Sequence, residues 1–193
     1  MFFIINQIQE SIEVKFRLLH DKALIELIDT VAQKCTDVYH NGCKTLLAGN
    51  GGSAGDAQHI AGEFVSRFNF NRPGIPSLAL TTDTSILTAI SNDYGFDQLF
   101  ARQIEAHGQK GDMFFAISTS GNSKNIIEAL KVAKGKNIIT VGLTGQTGGE
   151  MAKFCDFCIK VPSSETPRIQ ESHIMIGHII CSIVENNLFG KLQ

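Results

Sequence analysis

The chain has 193 residues, 43% of them hydrophobic and 19% charged, which is enough to build one well-buried globular domain. Its 17 basic and 19 acidic residues give a formal charge of -2, so it carries no cationic surplus of the kind that marks nucleic-acid or acidic-lipid binding. No apolar run reaches the roughly 18 residues a bilayer demands, and a cytoplasmic protein is expected.

The chain opens on a short apolar burst, Met1 to Ile5, with no basic residue before it and polar Asn6-Gln7 after it, so it does not read as a signal peptide. Residues 6 to 41 hold no proline and place apolar side chains at helical spacing: Ile8, Ile12, Phe16 and Leu19, then Leu24, Leu27, Ile28, Val31, Cys35 and Val38. Two amphipathic helices are predicted, the second stopped by Asn41-Gly42.

From Lys44 the pattern changes to short apolar runs that end in Gly, Ser and Thr loops: Thr45 to Ala48, Ser77 to Leu80, Met113 to Ile117, Ile138 to Leu143 and Phe157 to Val161. Each is followed by a helical stretch, and alternating β and α units imply a parallel sheet covered on both faces. The last stretch, about Arg168 to Phe189, is helical and strongly apolar. The expected architecture is a three-layer α/β/α domain of about five parallel strands. It spans residues 1–193, with helices over 1–42 and the α/β core with its closing helix over 43–193. In such folds ligands sit beyond the carboxyl ends of the strands.

After the first strand comes Gly49-Asn50-Gly51-Gly52-Ser53-Ala54-Gly55-Asp56, where glycines let backbone approach a ligand and Ser53 is placed to cap the next helix. It is neither a Walker A loop nor a dinucleotide fingerprint. After the third strand, Ser118-Thr119-Ser120-Gly121-Asn122-Ser123 offers hydroxyls and backbone donors at a helix start, a neutral cradle suited to a phosphate monoester. Asn92-Asp93 ends a helical stretch and offers hydrogen bonds to sugar hydroxyls. The loop Thr144 to Gly149 has no ionisable group and reads as structural.

His59 and Glu63 stand four apart on the helix after the glycine loop and so share a face, as a metal or acid/base pair would. Gln170, Glu171, His173 and His178 interrupt the apolar last helix. Gln170 and His178 are eight residues apart, about 12 Å along a helix, so they converge at nearly full reach, or helices of different subunits combine, or only some of the four groups bind at once. His173 reads as a surface or interface histidine. Cys155 and Cys158 form a lone CxxC, and a spacing of three on an apparent strand sets the thiols on opposite faces, so structural burial is expected.

The segments GNGGSAGDAQHIAGE, SNDYGF, ISTSGNS and RIQESHIMIGH, in this order across about residues 44 to 189, resemble the phosphoheptose isomerases of the SIS-domain family. Those enzymes make D-glycero-D-manno-heptose 7-phosphate from sedoheptulose 7-phosphate. The resemblance implies that Asn50, Gly51, Gly52, Ser53, Ser118, Thr119, Ser120 and Ser123 bind the sugar phosphate, with Glu63, Asn92, Asp93 and Gln170 contacting the substrate. It implies one zinc ion per subunit held by His59, Glu63, Gln170 and His178, acid/base roles for Glu63 and His178, and a homotetramer. It also implies a place at the start of activated-heptose synthesis for surface polysaccharide such as lipopolysaccharide or capsule. The rival expectation is a noncatalytic SIS module that binds a sugar phosphate or a protein partner; the presence of both Glu63 and His178 favours the enzyme.

Overall fold

The structure, a computed structural model, describes residues 1–190. Helices α1 (Phe2–His20) and α2 (Lys22–His40) form the expected hairpin, with the Asp21 side chain capping α2 by accepting from Leu24 N. The α/β part follows as β1 (Thr45–Gly49), α3 (Gly52–Val65), β2 (Ser77–Ala79), α4 (Thr84–Tyr94), α5 (Leu99–His107), β3 (Met113–Ile117), α6 (Lys124–Gly135), β4 (Ile139–Thr144), β5 (Phe157–Lys160) and α7 (Thr166–Phe189). Every strand run expected from the sequence forms, with boundaries moved by one residue at most.

All strands pair in parallel in the order β2-β1-β3-β4-β5. Their side chains alternate between two cores, as period-two geometry requires. Leu47, Phe115, Val141, Leu143 and Ile159 meet α1, α2, α3 and α7 on one face. Leu46, Ala48, Phe114 and Ala116 meet α5 and α6 on the other. The chain leaves β1 outward to β2 and returns on the other side to β3. The loops after β1 and β3 are therefore neighbours at the switch point, where parallel sheets bind ligands.

Helix α1 forms as the amphipathic helix its spacing predicts, with most of its apolar positions turned away from this chain's core. The stripe Ile8, Ile12, Phe16 and Leu19 faces solvent, joined by Phe2 and Phe3, and only Val14 and Leu18 are buried. The helix has contacts on one side alone, leaning on α2 and on the start of α7, where Ser11 donates to Glu171 (2.7 Å). Among the described residues, its apolar stripe stays largely open to solvent.

The cysteine pair departs from expectation. Cys155 precedes β5, ahead of a bend at Asp156, so strand alternation does not govern it. Its thiol and that of Cys158 turn to the same side, both towards Gly142. No helix among the described residues is long and apolar enough to cross a membrane.

Candidate active site

Helix α3 begins immediately after the glycine loop. Its cap is Gly51, with φ of 55°, and Ser53 lies buried inside the first turn instead of capping it. The end of β1 runs so close to this turn that a Cβ on Gly49 would fall 2.4 Å from Ser53 O, so glycine there is what lets the strand meet the helix start.

The second loop runs from the end of β3 to the start of α6. Ser118 and Ser123 hydroxyls are 3.0 Å apart, and Asn122 N donates to Ser120 Oγ. Asn50 and Asn125 bind the two loops together by exchanging two amide hydrogen bonds, each 2.9 Å. The Asn50 side chain is thus committed to Asn125, a buried residue that sequence reading did not single out. The third loop braces the second: Gly145 N donates to Thr119 O, Met151 N to Gly121 O and Glu150 N to Asn122 Oδ1. This agrees with the structural reading of Thr144 to Gly149.

Helices α3 and α7 lie side by side and run in the same direction. Gln170 packs on Gly52, Gly177 on Ile60 and His178 on His59. A Cβ on Gly177 would stand 2.6 Å from Ile60 Cδ1, so glycine there is what lets the two helices close up. His59 Nε2 is 3.0 Å from Glu63 Oε1 and 3.1 Å from His178 Nε2, and the ligand atoms of the three residues all lie within 4.8 Å of one another. Phe68 flanks the His178 ring, with centroids 5.5 Å apart.

This cluster fits a metal ion. His59 Nε2 carries at most one proton yet faces two atoms that can accept one, so protons alone leave one contact unsatisfied. A tetrahedral zinc with ligands at about 2.0–2.1 Å sets them about 3.3 Å apart, close to the two spacings that His59 makes. Gln170 stands elsewhere: its amide rests against Gly52, which a Cβ would approach to 2.4 Å, about two turns from His178.

Asn92 and Asp93 are exposed at the last turn of α4 and hydrogen-bond to each other (2.8 Å). No hydrogen bond links them to another candidate residue among those described. His173 is fully buried, which corrects the surface reading: the middle of α7 is enclosed by neighbouring elements. Its Nε2 lies 3.3 Å from Thr144 O, its Nδ1 has no partner, and burial pushes its pKa down to about 4. Asp56, one turn before His59, has a buried Oδ2 without a partner, and burial raises its carboxyl to about 6 against the pull of His59.

Two further residues were missed. Arg72, in the segment after α3, donates to Glu63 O, Phe64 O and Glu185 Oε1, and Glu185 also accepts from Phe68 N and Asn69 N. Burial works to raise the Glu185 carboxyl, but those two N–H groups and the guanidinium outweigh it and hold it below its usual range. The only signal in the sequence was a carboxylate among the apolar residues Cys181, Val184 and Leu188 of α7.

The SIS-domain family model matches residues 13–145. A phosphoheptose isomerase of Aneurinibacillus thermoaerophilus is 68% identical over 187 residues, covering 97% of this chain and 94% of that one. The chain belongs to the phosphoheptose isomerase family. Another member, phosphoheptose isomerase 2 of Campylobacter jejuni, is 65% identical over 98% of this chain and 94% of its own length. Among solved structures, the phosphoheptose isomerase of Neisseria gonorrhoeae matches with a TM-score of 0.88 at 41% identity, covering 95% of this chain and 97% of that one. Family membership therefore extends over nearly the whole chain.

Proposed function

We propose that this chain is an aldose–ketose isomerase that converts sedoheptulose 7-phosphate to D-glycero-D-manno-heptose 7-phosphate, at the head of activated-heptose synthesis. The observation that carries this reading is the convergence of His59, Glu63 and His178 on one rim, in a member of the phosphoheptose isomerase family. A noncatalytic binding module has no use for such a cluster.

The reaction moves a proton between neighbouring carbons through an enediol and needs a base and a group that serves the oxygens. The loop Ser118 to Ser123 and the backbone of Asn50 to Ser53 hold the phosphate, where helix starts favour an anion. Glu63 carries the carbon-bound proton. Its Oε1 faces His59, and its Oε2 has no hydrogen-bond partner among the described residues. His178, set by Phe68 and His59, serves the substrate oxygens. His59, Glu63 and His178 would hold zinc, which when bound polarises the carbonyl and hydroxyl oxygens of the sugar.

In this reading the chain acts as a single SIS domain in a cytoplasmic homotetramer. The exposed apolar stripe of α1 supports self-association, since contiguous apolar surface of this kind marks an interface. So does Gln170: its distance from His178 within one chain calls for a neighbouring copy if it is to reach a metal or sugar beside Glu63. Asn92 and Asp93, exposed on α4, would meet the sugar the same way.

The test is to incubate the purified protein with sedoheptulose 7-phosphate, with and without chelator, and follow heptose 7-phosphate by NMR. Conversion is expected. A folded oligomer that converts nothing in either condition would return the noncatalytic reading.

A further inference from the structure

Of the five cysteines, two are buried and inert in character: Cys35 and Cys181, whose thiols burial raises, that of Cys181 to about 12. Cys155 and Cys158 differ. Both are partly exposed on the β5 edge of the sheet, away from the His59, Glu63 and His178 cluster.

Gly142 on β4 is the register partner of Cys158. A Cβ built on Gly142 would lie 2.7 Å from Cys155 Sγ and 3.6 Å from Cys158 Sγ, so both sulfurs share the space its missing side chain leaves. Cys155 Sγ donates to Met151 O at 3.3 Å, which holds it over that space. Lys160 follows Cys158 on the strand, and Lys134 of α6 acts on Cys155. The neighbouring Cys155 thiol, helped by the Lys160 charge, holds the Cys158 thiol below its usual value, while the neighbouring Cys158 and burial hold Cys155 above its own. A partly exposed thiol of lowered pKa beside a second thiol is the arrangement of a thiol–disulfide exchange site.

We propose that Cys155 and Cys158 form a redox-active dithiol, oxidised by low-molecular-weight disulfides with Cys158 as the attacking sulfur and Cys155 as the resolving one. The Cys158 thiolate attacks one sulfur of a disulfide RSSR, an S–S bond forms to Cys158, and RS⁻ leaves. Cys155 then gives its proton to solvent and its sulfur attacks Cys158 Sγ. The Cys155–Cys158 bond forms and a second RS⁻ leaves. The protein gives up two electrons and two protons, and RSSR becomes two thiols.

The experiment treats the reduced full-length protein with oxidised glutathione, then quenches and maps the cysteine peptides by mass spectrometry. The wild type is expected to lose two thiols and two hydrogens, as a Cys155–Cys158 disulfide free of glutathione. Cys155→Ser should stall with glutathione held on Cys158, and Cys158→Ser should leave Cys155 unmodified over the same time. Stable glutathione on Cys158 of the wild type, or reaction confined to Cys43, overturns the proposal. So does reaction of Cys155 in Cys158→Ser at the wild-type rate.

Discussion

Arg72 and Glu185 meet as a buried ion pair, Nε to Oε1 at 2.9 Å, with side chains 2% and 1% exposed. The guanidinium also closes the end of α3 by donating to Glu63 O and Phe64 O, while Glu185 belongs to α7. The pair therefore bolts the helix that carries Glu63 to the helix that carries His178. Breaking a buried pair by removing one partner leaves an uncompensated charge and costs about 3–5 kcal/mol. Glu185→Ala is expected to lose stability on that scale, because the Phe68 and Asn69 N–H groups lose their acceptor as well. Urea unfolding measures it, and a loss below about 1 kcal/mol would show that water repairs the site.

Glu63→Gln keeps the shape of the side chain and removes the carboxylate proposed as the base. Turnover should fall by about 100- to 10,000-fold with the thermal midpoint little changed, since a positioned base typically contributes that much. Activity within a few-fold of wild type would assign the carbon-bound proton to another group.

His59→Ala removes one of the three converging donors. Zinc affinity, read by calorimetry on the apo protein, should drop by more than about 10-fold, because even the supporting partners of metal ligands contribute that much. Prolonged chelation of the wild type should abolish zinc content while leaving the fold intact, as the hydrophobic cores do not depend on the cluster. An unfolded chelated protein would make the site structural.

His173 gives stability a pH dependence whose sign follows from its burial. Its pKa is lowered from 6.5 to about 4 in the fold, so the neutral ring is favoured there. The contribution is complete above about pH 6.5, fades as pH falls through that window, and is gone below about pH 4. The fall from 6.5 to about 4 corresponds to at most about 3.4 kcal/mol. A His173→Asn variant, compared with wild type in unfolding experiments from pH 7 to pH 4, should lose that part of the slope. Parallel curves would place the acid sensitivity elsewhere.

Ile12→Glu and Phe16→Glu put charges on the solvent-facing stripe of α1, which this chain's own core does not use. Light scattering should show a smaller assembly with the monomer fold retained by circular dichroism. An unchanged assembly would mean that the interface lies on another face.

The sequence by itself determined the local and repeating features. Period-two and period-3.6 apolar patterns placed the strands and helices, because those spacings are imposed by backbone geometry within a few residues. It also put His59 and Glu63 on one helical face, four residues apart, and the hydroxyl-rich loop at a helix start. What only the tertiary structure decided are relations between segments distant in the chain: the β2-β1-β3-β4-β5 order, the Asn50–Asn125 bridge, and the parallel packing of α3 on α7 that brings His178 to His59. Burial was also a tertiary matter. A histidine in an apolar helix reads alike whether it faces solvent or core, and so His173 was misplaced; the α1 stripe likewise has a pattern that demands cover but does not say from which molecule. Cys155 and Cys158 came together because one bend at Asp156 took Cys155 out of the strand. Local pattern fixes what each segment can be; packing fixes which side chains meet.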